Sequence, residues 1–156
     1  MLNRAVPGKI ILGELGGIEP GVRQLIRRRP LEVQRVTLPA GAEITVPTPA
    51  EIARIKGFLI VRRNQIRDYL DVAALSGAFG VEEIGGVLAD IDDYYTDPSH
   101  AEDRPVQAQL ARQLACPAPK DHRAIAGLAH YKGLTSRWRE WDDVVAECRS
   151  LSTRLI

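Results

Sequence analysis

Pro47-Thr48-Pro49 cuts this chain into two kinds of sequence. Ahead of it stand short β-branched runs broken by Gly and Pro; behind it, apolar residues recur at helical spacing. Proline fixes φ and removes a backbone donor, so neither a strand ladder nor a helix runs through this triplet. Thr48 sits where an N-cap belongs, with Pro49 at the first helical position and Glu51 three residues on, the arrangement of a capping box. The expected fold class is therefore α+β, a small β-hairpin or partial sheet followed by a helical bundle. A partial β region would cover 1–48 and a helical region 49–156, in one compact domain.

Within the β part, Lys9 to Leu15 reads as a short strand that opens the chain, broken by Gly16-Gly17 and Pro20-Gly21. Val22 to Arg29 reads either as a helical turn or as a basic loop. Leu31 to Leu38 reads as a strand, Pro39-Ala40-Gly41 as a turn and Glu43 to Val46 as the returning strand, which makes a hairpin.

The helical part opens with a helix from Pro49 to about Arg63. Asn64 is placed to cap a second helix over Gln65 to Gly77. Further helices are expected over Glu82 to Tyr95, Pro105 to Cys116 and Asp121 to about Tyr131. Ser136 would cap the last helix, which carries Trp138, Trp141, Val145, Cys148 and Leu155 on one stripe. Leu59, Ile60, Leu70, Leu75 and Leu88 are expected in the core, and the two Trp read as core or a docking ridge.

A chain of 156 residues suffices for one domain with a core, and 45% hydrophobic with 26% charged residues is a globular balance. No apolar run reaches the length of a bilayer span and the N-terminus shows no cleavage site, so a cytoplasmic protein with no membrane partner is expected. Cys116 and Cys148 lack ligand spacing and read as thiols in a reducing compartment. The glycines form neither a P-loop nor a dinucleotide fingerprint. His100, His122 and His130 have no metal-ligand spacing. Asp90, Asp92, Asp93 and Asp97 read as a solvated acidic face.

Charge is unevenly spread. Residues 1–67 hold twelve Lys+Arg against five Asp+Glu, a net of +7, and residues 68–156 hold nine against fifteen, a net of −6. Either the front half meets an anionic ligand or the two halves attract each other. The stretch Ile52 to Leu75 concentrates this charge in an apolar setting. If its helix is continuous, Lys56, Arg63, Arg67 and Asp71 share one face. Such a face suits a triphosphate or a nucleic-acid backbone; equally, Arg67 and Asp71, four apart, pair along a solvated helix. If the helix bends at Arg63-Asn64, the charges converge at the bend instead.

Lys56, Arg62-Arg63, Arg67-Asp68 and Asp71-Val72 resemble the C-terminal signature of the AbiEii-type nucleotidyltransferases, the toxins of type IV toxin–antitoxin systems. The hairpin, the V-P-T-P-A-E-I segment, Tyr94-Tyr95, Tyr131-Lys132-Gly133-Leu134 and Trp138 add to the resemblance, which covers about residues 30–95. It implies a polymerase-β-like fold and nucleotidyl transfer from an NTP with Mg²⁺. Asp68 would be the catalytic acid, Lys56, Arg62, Arg63 and Arg67 would hold the nucleotide, and RNA would be an acceptor with a cognate antitoxin as partner. The chain departs from the pattern where it matters most, because no Gly-Ser followed by a paired acid precedes Lys56. The resemblance therefore implies a truncated or divergent member with an incomplete catalytic motif and little or no transfer activity of its own. The alternative is a non-catalytic module that binds nucleic acid or a protein partner through the basic residues of 23–67, with Arg23, Arg27, Arg28 and Arg29 among them.

Overall fold

Alternating β-branched residues and tight turns build the first third of the molecule. The structure, a computed structural model, describes residues 2–6, 10–14, 16–18, 21–23, 27–96, 105–131 and 133–156, and for 2–6, 10–12 and 21–23 the backbone alone. Three strands, β1 (Leu2–Val6), β2 (Ile10–Gly13) and β3 (Gly21–Arg23), pair antiparallel in the order β1-β2-β3. Arg4 stands opposite Leu12, and Ile11 opposite Val22. The first strand therefore lies ahead of the one read from Lys9 to Leu15, and Val22 belongs to a strand, not to a helical turn. Pairing supplied by neighbours turned two weak runs into strands. Parts of the expected elements fall outside the described residues: Lys9, Leu15, Pro20, residues 24–26, the 97–104 loop with Asp97 and His100, and Lys132.

A separate hairpin follows. β4 (Val33–Thr37) and β5 (Glu43–Pro47) pair with Val36 opposite Ile44 and Arg35 opposite Thr45. The turn closes through the Gly41 N–H, which donates to the Leu38 carbonyl at 2.8 Å. Gly41 has φ +81°, a left-handed conformation that glycine adopts without steric cost. Alternation places Val36, Ile44 and Val46 on one face, and Val33, Arg35, Thr45 and Glu43 on the other. Val33, Val36, Leu38 and Ile44 are all exposed, so neither face is a core face.

Helix α1 (Pro49–Arg63) starts as expected, with the Glu51 N–H donating to Thr48 Oγ1 at 3.1 Å. Only half of a capping box forms. The Thr48 N–H donates to the Glu32 carbonyl, and the Glu51 carboxylate is engaged elsewhere. Asn64 ends α1 instead of starting α2: it takes a left-handed conformation, φ 51°, and its N–H donates to the Ile60 carbonyl. Helix α2 (Ile66–Phe79) is capped from a distance, by Asp121 Oδ1 accepting from the Ile66 N–H at 2.9 Å.

Helix α3 (Val81–Ala89) gives way to a 3-10 turn over Ile91–Asp93, shorter than the helix expected to Tyr95. Asp92 then caps α4 (Val106–Ala115), accepting from the Val106 and Gln107 N–H groups at 2.6 and 3.2 Å. One member of the acidic run thus serves as a helix cap, a half-exposed one, instead of facing water alone. Residues His122–His130 form 3-10 turns where an α-helix was expected. The last helix, α5 (Trp141–Ser152), starts at Trp141, and Ser136 precedes a 3-10 turn over Arg137–Arg139.

The core belongs to these helices. Among the described side chains, every buried hydrophobic residue lies between Ala53 and Leu155. Ile60, Leu70 and Leu88 are buried as expected, while Leu59 and Leu75 are half-buried. Trp138 is buried, and Trp141 meets Tyr69 edge to face at 6.1 Å, so both Trp pack inward. Gly77 makes room for Trp138: a Cβ there would lie 2.6 Å from the Trp138 ring. Among the described residues, no helix is long and apolar enough to cross a membrane.

Candidate functional site

Six side chains from three parts of the chain meet where residues 27–32 cross the helical body. Glu51 stands in the first turn of α1, and its inward register leaves it fully buried. A carboxylate there needs charged donors, and it has them. Arg27 reaches both carboxylate oxygens, with its second nitrogen 3.0 Å from Oε2. Arg54, one turn along α1, donates to Oε2 at 3.4 Å, and the Glu32 N–H does the same at 3.4 Å. Arg54 also pairs with Glu32 at 2.8 Å. The Tyr94 hydroxyl donates to Glu32 Oε1 at 3.1 Å.

Two tyrosines floor the cluster. The guanidinium of Arg54 lies 4.1 Å from the Tyr94 ring centre, with Arg29 at 5.1 Å and Arg27 at 5.3 Å. Tyr95 stacks on Phe58 with 4.4 Å between ring centres, which ties the cluster to the core. The electrostatics follow the geometry. Hydrogen bonding to Glu51 holds Arg27 firmly protonated, with its pKa raised against a smaller effect of burial. The hydrogen bond from Arg54 pulls Glu32 below the ordinary carboxylate value. Burial pushes the Tyr95 hydroxyl up to about 12. Arg54 Nε is buried without a hydrogen-bond partner.

The arrangement binds oppositely charged segments of one chain together. Sequence reading did not assemble it. It grouped Arg27, Arg28 and Arg29 as an outward basic patch, whereas Arg27 grips Glu51, Arg28 donates to the Asp92 carbonyl at 3.1 Å and Arg29 pairs with Asp93 at 2.5 Å. One signal was available: a Glu and an Arg three apart at the start of an apolar helix, Glu51 and Arg54, both on its inward side.

The residues singled out on α1 and α2 lie on both sides of the bend at Asn64. Lys56 pairs with Asp71 across the two helices at 2.6 Å. Arg63 holds the fully buried Asp68 with two bonds, Nε to Oδ2 at 2.7 Å and a terminal nitrogen to Oδ1 at 2.6 Å. That bonding raises the Arg63 pKa. Arg62 and Arg67 are exposed. Asn64 joins the bend to the segment after α4, its side-chain amide donating to the Ala118 carbonyl at 2.9 Å and its carbonyl accepting from the Lys120 N–H. A single continuous face is thereby corrected: the helix breaks, and Lys56 and Asp71, fifteen residues apart, face each other across the hairpin of helices.

A third buried carboxylate, Glu147 of α5, accepts from Ser76 Oγ of α2 and from Arg137, both at 2.6 Å. Arg137 covers Trp138 at 4.3 Å. An open, mostly apolar groove of about 490 Å³ runs between α4 and the last residues, lined by Ala108, Ala111, Ala115 and Leu155 among others. The described residues hold no group of three or more His, Cys, Asp or Glu side chains placed to hold a metal ion. Cys116 and Cys148 are unpaired thiols, and burial pushes Cys148 up to about 12.

Similarity to known proteins points to transport proteins of mycobacteria. The chain is 35% identical over 149 residues to the "Heme uptake protein MmpL11" of Mycobacterium tuberculosis (strain ATCC 25618 / H37Rv). It is 35% identical over 132 residues to the "Mycolic acid-containing lipids exporter MmpL11" of Mycolicibacterium smegmatis, and 32% over 137 residues to the "Probable transport protein MmpL11" of Mycobacterium leprae. The first match takes in 92% of this chain but only 14% of the relative's length. The second and third each take in 83% of this chain, and 13% and 12% of the relative. No family model and no solved structure matches.

These relatives overturn the resemblance to AbiEii-type nucleotidyltransferases, and with it the truncated polymerase-β-like fold and the toxin reading. The nucleic-acid-binding alternative built on the basic residues of 23–67 finds no support in these relatives either. A motif of spaced Arg, Lys and Asp is easily imitated, because ion pairs that fasten two helices together require the same residue types. Mg²⁺ and an antitoxin entered only through that resemblance; a triphosphate or nucleic acid was also suggested by the spacing of Lys56, Arg63 and Arg67, a face that the bend at Asn64 divides.

Proposed function

We propose that this chain is a domain of an MmpL11-like transport protein that lies outside the bilayer and serves attachment or control, not conduction. The single observation that carries the reading is the pairing of two facts. Identity of 35% runs over 92% of the chain, and no described helix is long and apolar enough to cross a membrane. We read the segment as acting by contact with the rest of the protein or with other proteins. The apolar hairpin and the α4 groove offer such contact surfaces. We place the domain on the cytoplasmic side; two unpaired thiols, one of them exposed, suit a reducing compartment.

The test uses the Mycolicibacterium smegmatis relative. The segment that matches this chain is deleted, and in a second version replaced by this chain. The expected result is that the deleted protein still inserts in the membrane but loses export of mycolic acid-containing lipids, and that the replacement restores it. Export at the wild-type level from the deleted protein would sink the reading. Labelling of an engineered cysteine in intact cells, with a reagent that does not cross membranes, tests the side: a cytoplasmic domain stays unlabelled until the cells are broken.

A further inference from the structure

Among the described side chains, residues 27–48 contribute nothing apolar to the core, and no strand packs broadly on a helix. What joins this arm to the helical body is polar and charged. Arg27 holds Glu51, Arg28 holds the Asp92 and Tyr94 carbonyls, Arg29 holds Asp93, and Glu32 holds Arg54 and the Tyr94 hydroxyl. The Thr48 N–H closes the far end on the Glu32 carbonyl at 3.1 Å.

Such a joint differs in kind from a hydrophobic one. Burying Arg27 and Glu51 costs both groups their hydration, and their attraction roughly repays that cost. On release both charges return to water. The half-exposed Arg29–Asp93 pair adds little and is screened by salt. The helices keep their own packing when the arm leaves, because no described side chain of residues 27–48 belongs to the core; only Tyr94 and Tyr95 lose cover.

From these features we infer that residues 27–32 form a releasable ionic strap, which detaches the β4–β5 arm from the helical body while the body stays folded. Release uncovers Tyr94 and Tyr95, which are 6% and 1% exposed in the closed state. It also frees a two-stranded hairpin, which on its own is only marginally stable in water.

Amide hydrogen exchange of the full chain tests this, comparing residues 33–47 with residues 69–73 and 144–151. In Arg27→Ala, exchange over 33–47 should speed up by at least about tenfold, since the hairpin loses its anchor. Exchange in α2 and α5 should change by less than about twofold. A rise from 0.1 M to 1 M NaCl, which shortens the screening length from about 10 Å to about 3 Å, should move the wild type in the same direction. Comparable acceleration in both regions, or no acceleration over 33–47 under either change, would overturn the strap. If Arg27→Ala cannot be purified folded, the salt series on the wild type decides alone.

Discussion

Val36 in the hairpin and Val72 in α2 are the same side chain in two physical situations. Val72 is fully buried among helices, whereas Val36 is 38% exposed on a ribbon with no apolar layer against it. The helical body is held by packed hydrocarbon, the arm by arginines and carboxylates. The difference teaches how one small chain carries two kinds of joint. A packed core gives way as a unit, because each side chain touches many others. A handful of ion pairs gives way locally, because each trades protein contacts for water at little net cost.

The sharpest way to break that comparison is to remove apolar groups from each region. Leu70→Ala, at a 4% exposed site, should cost about 2–5 kcal/mol in denaturant unfolding. Val36→Ala should cost about 0.5 kcal/mol or less, as a surface change. Equal losses would show that the hairpin has an apolar partner and that the two regions do not differ. Gly77→Ala comes next. The new methyl collides with the Trp138 ring, and overpacking of that kind costs about 1–3 kcal/mol, which a thermal melt registers as a lower midpoint.

Thiol chemistry refines the picture of the body. One thiol, Cys116, should react with an aromatic disulfide reagent in the native protein, and two after denaturation. Burial raises Cys148 from its ordinary 9.0 to about 12. The protonated thiol is favoured in the folded state, so its contribution is fully present below about 9 and is lost as pH rises toward 12. A denaturation series at alkaline pH should therefore show falling stability, and Cys148→Ser should flatten that slope.

The smallest effect belongs to the arm. Hydrogen bonding from Arg54 lowers the Glu32 pKa below its ordinary 4.5. Its contribution is therefore present above that value and is lost as pH falls through the lowered one. Glu32 is half-exposed, so Glu32→Gln should change global stability by less than about 1 kcal/mol at neutral pH. A larger loss would mean that the arm and the body unfold as one.

Much of the helical part was legible because periodicity and capping are local. Thr48 and Pro49 marked the start of α1, and Ile60, Leu70 and Leu88 stood at inward positions. The bend at Asn64 was also legible, but not the direction of its cap. Asparagine serves at either end of a helix, and here its left-handed turn comes with bonds to Ala118 and Lys120, more than fifty residues on. The 3-10 run after Asp121 was hidden for a similar reason, since i+3 and i+4 spacing read alike over a few turns. The candidate site was not legible. Its members, Arg27, Glu32, Glu51, Arg54, Tyr94 and Tyr95, span nearly seventy positions, and no spacing rule joins them.

By itself the sequence determined where the strands give way to α1, that Ile60, Leu70 and Leu88 turn inward, and that charge of opposite sign fills the two halves. Those properties follow from dihedral preference, periodicity and composition, which act over a few residues or over the whole chain at once. Tertiary structure alone decided which charges meet. It gave Lys56 to Asp71, Arg63 to Asp68 and Arg27 to Glu51, pairs that fasten distant parts of the chain together. The physical reason is that an ion pair depends on distance in space, and a side chain's type records its charge but not its partner.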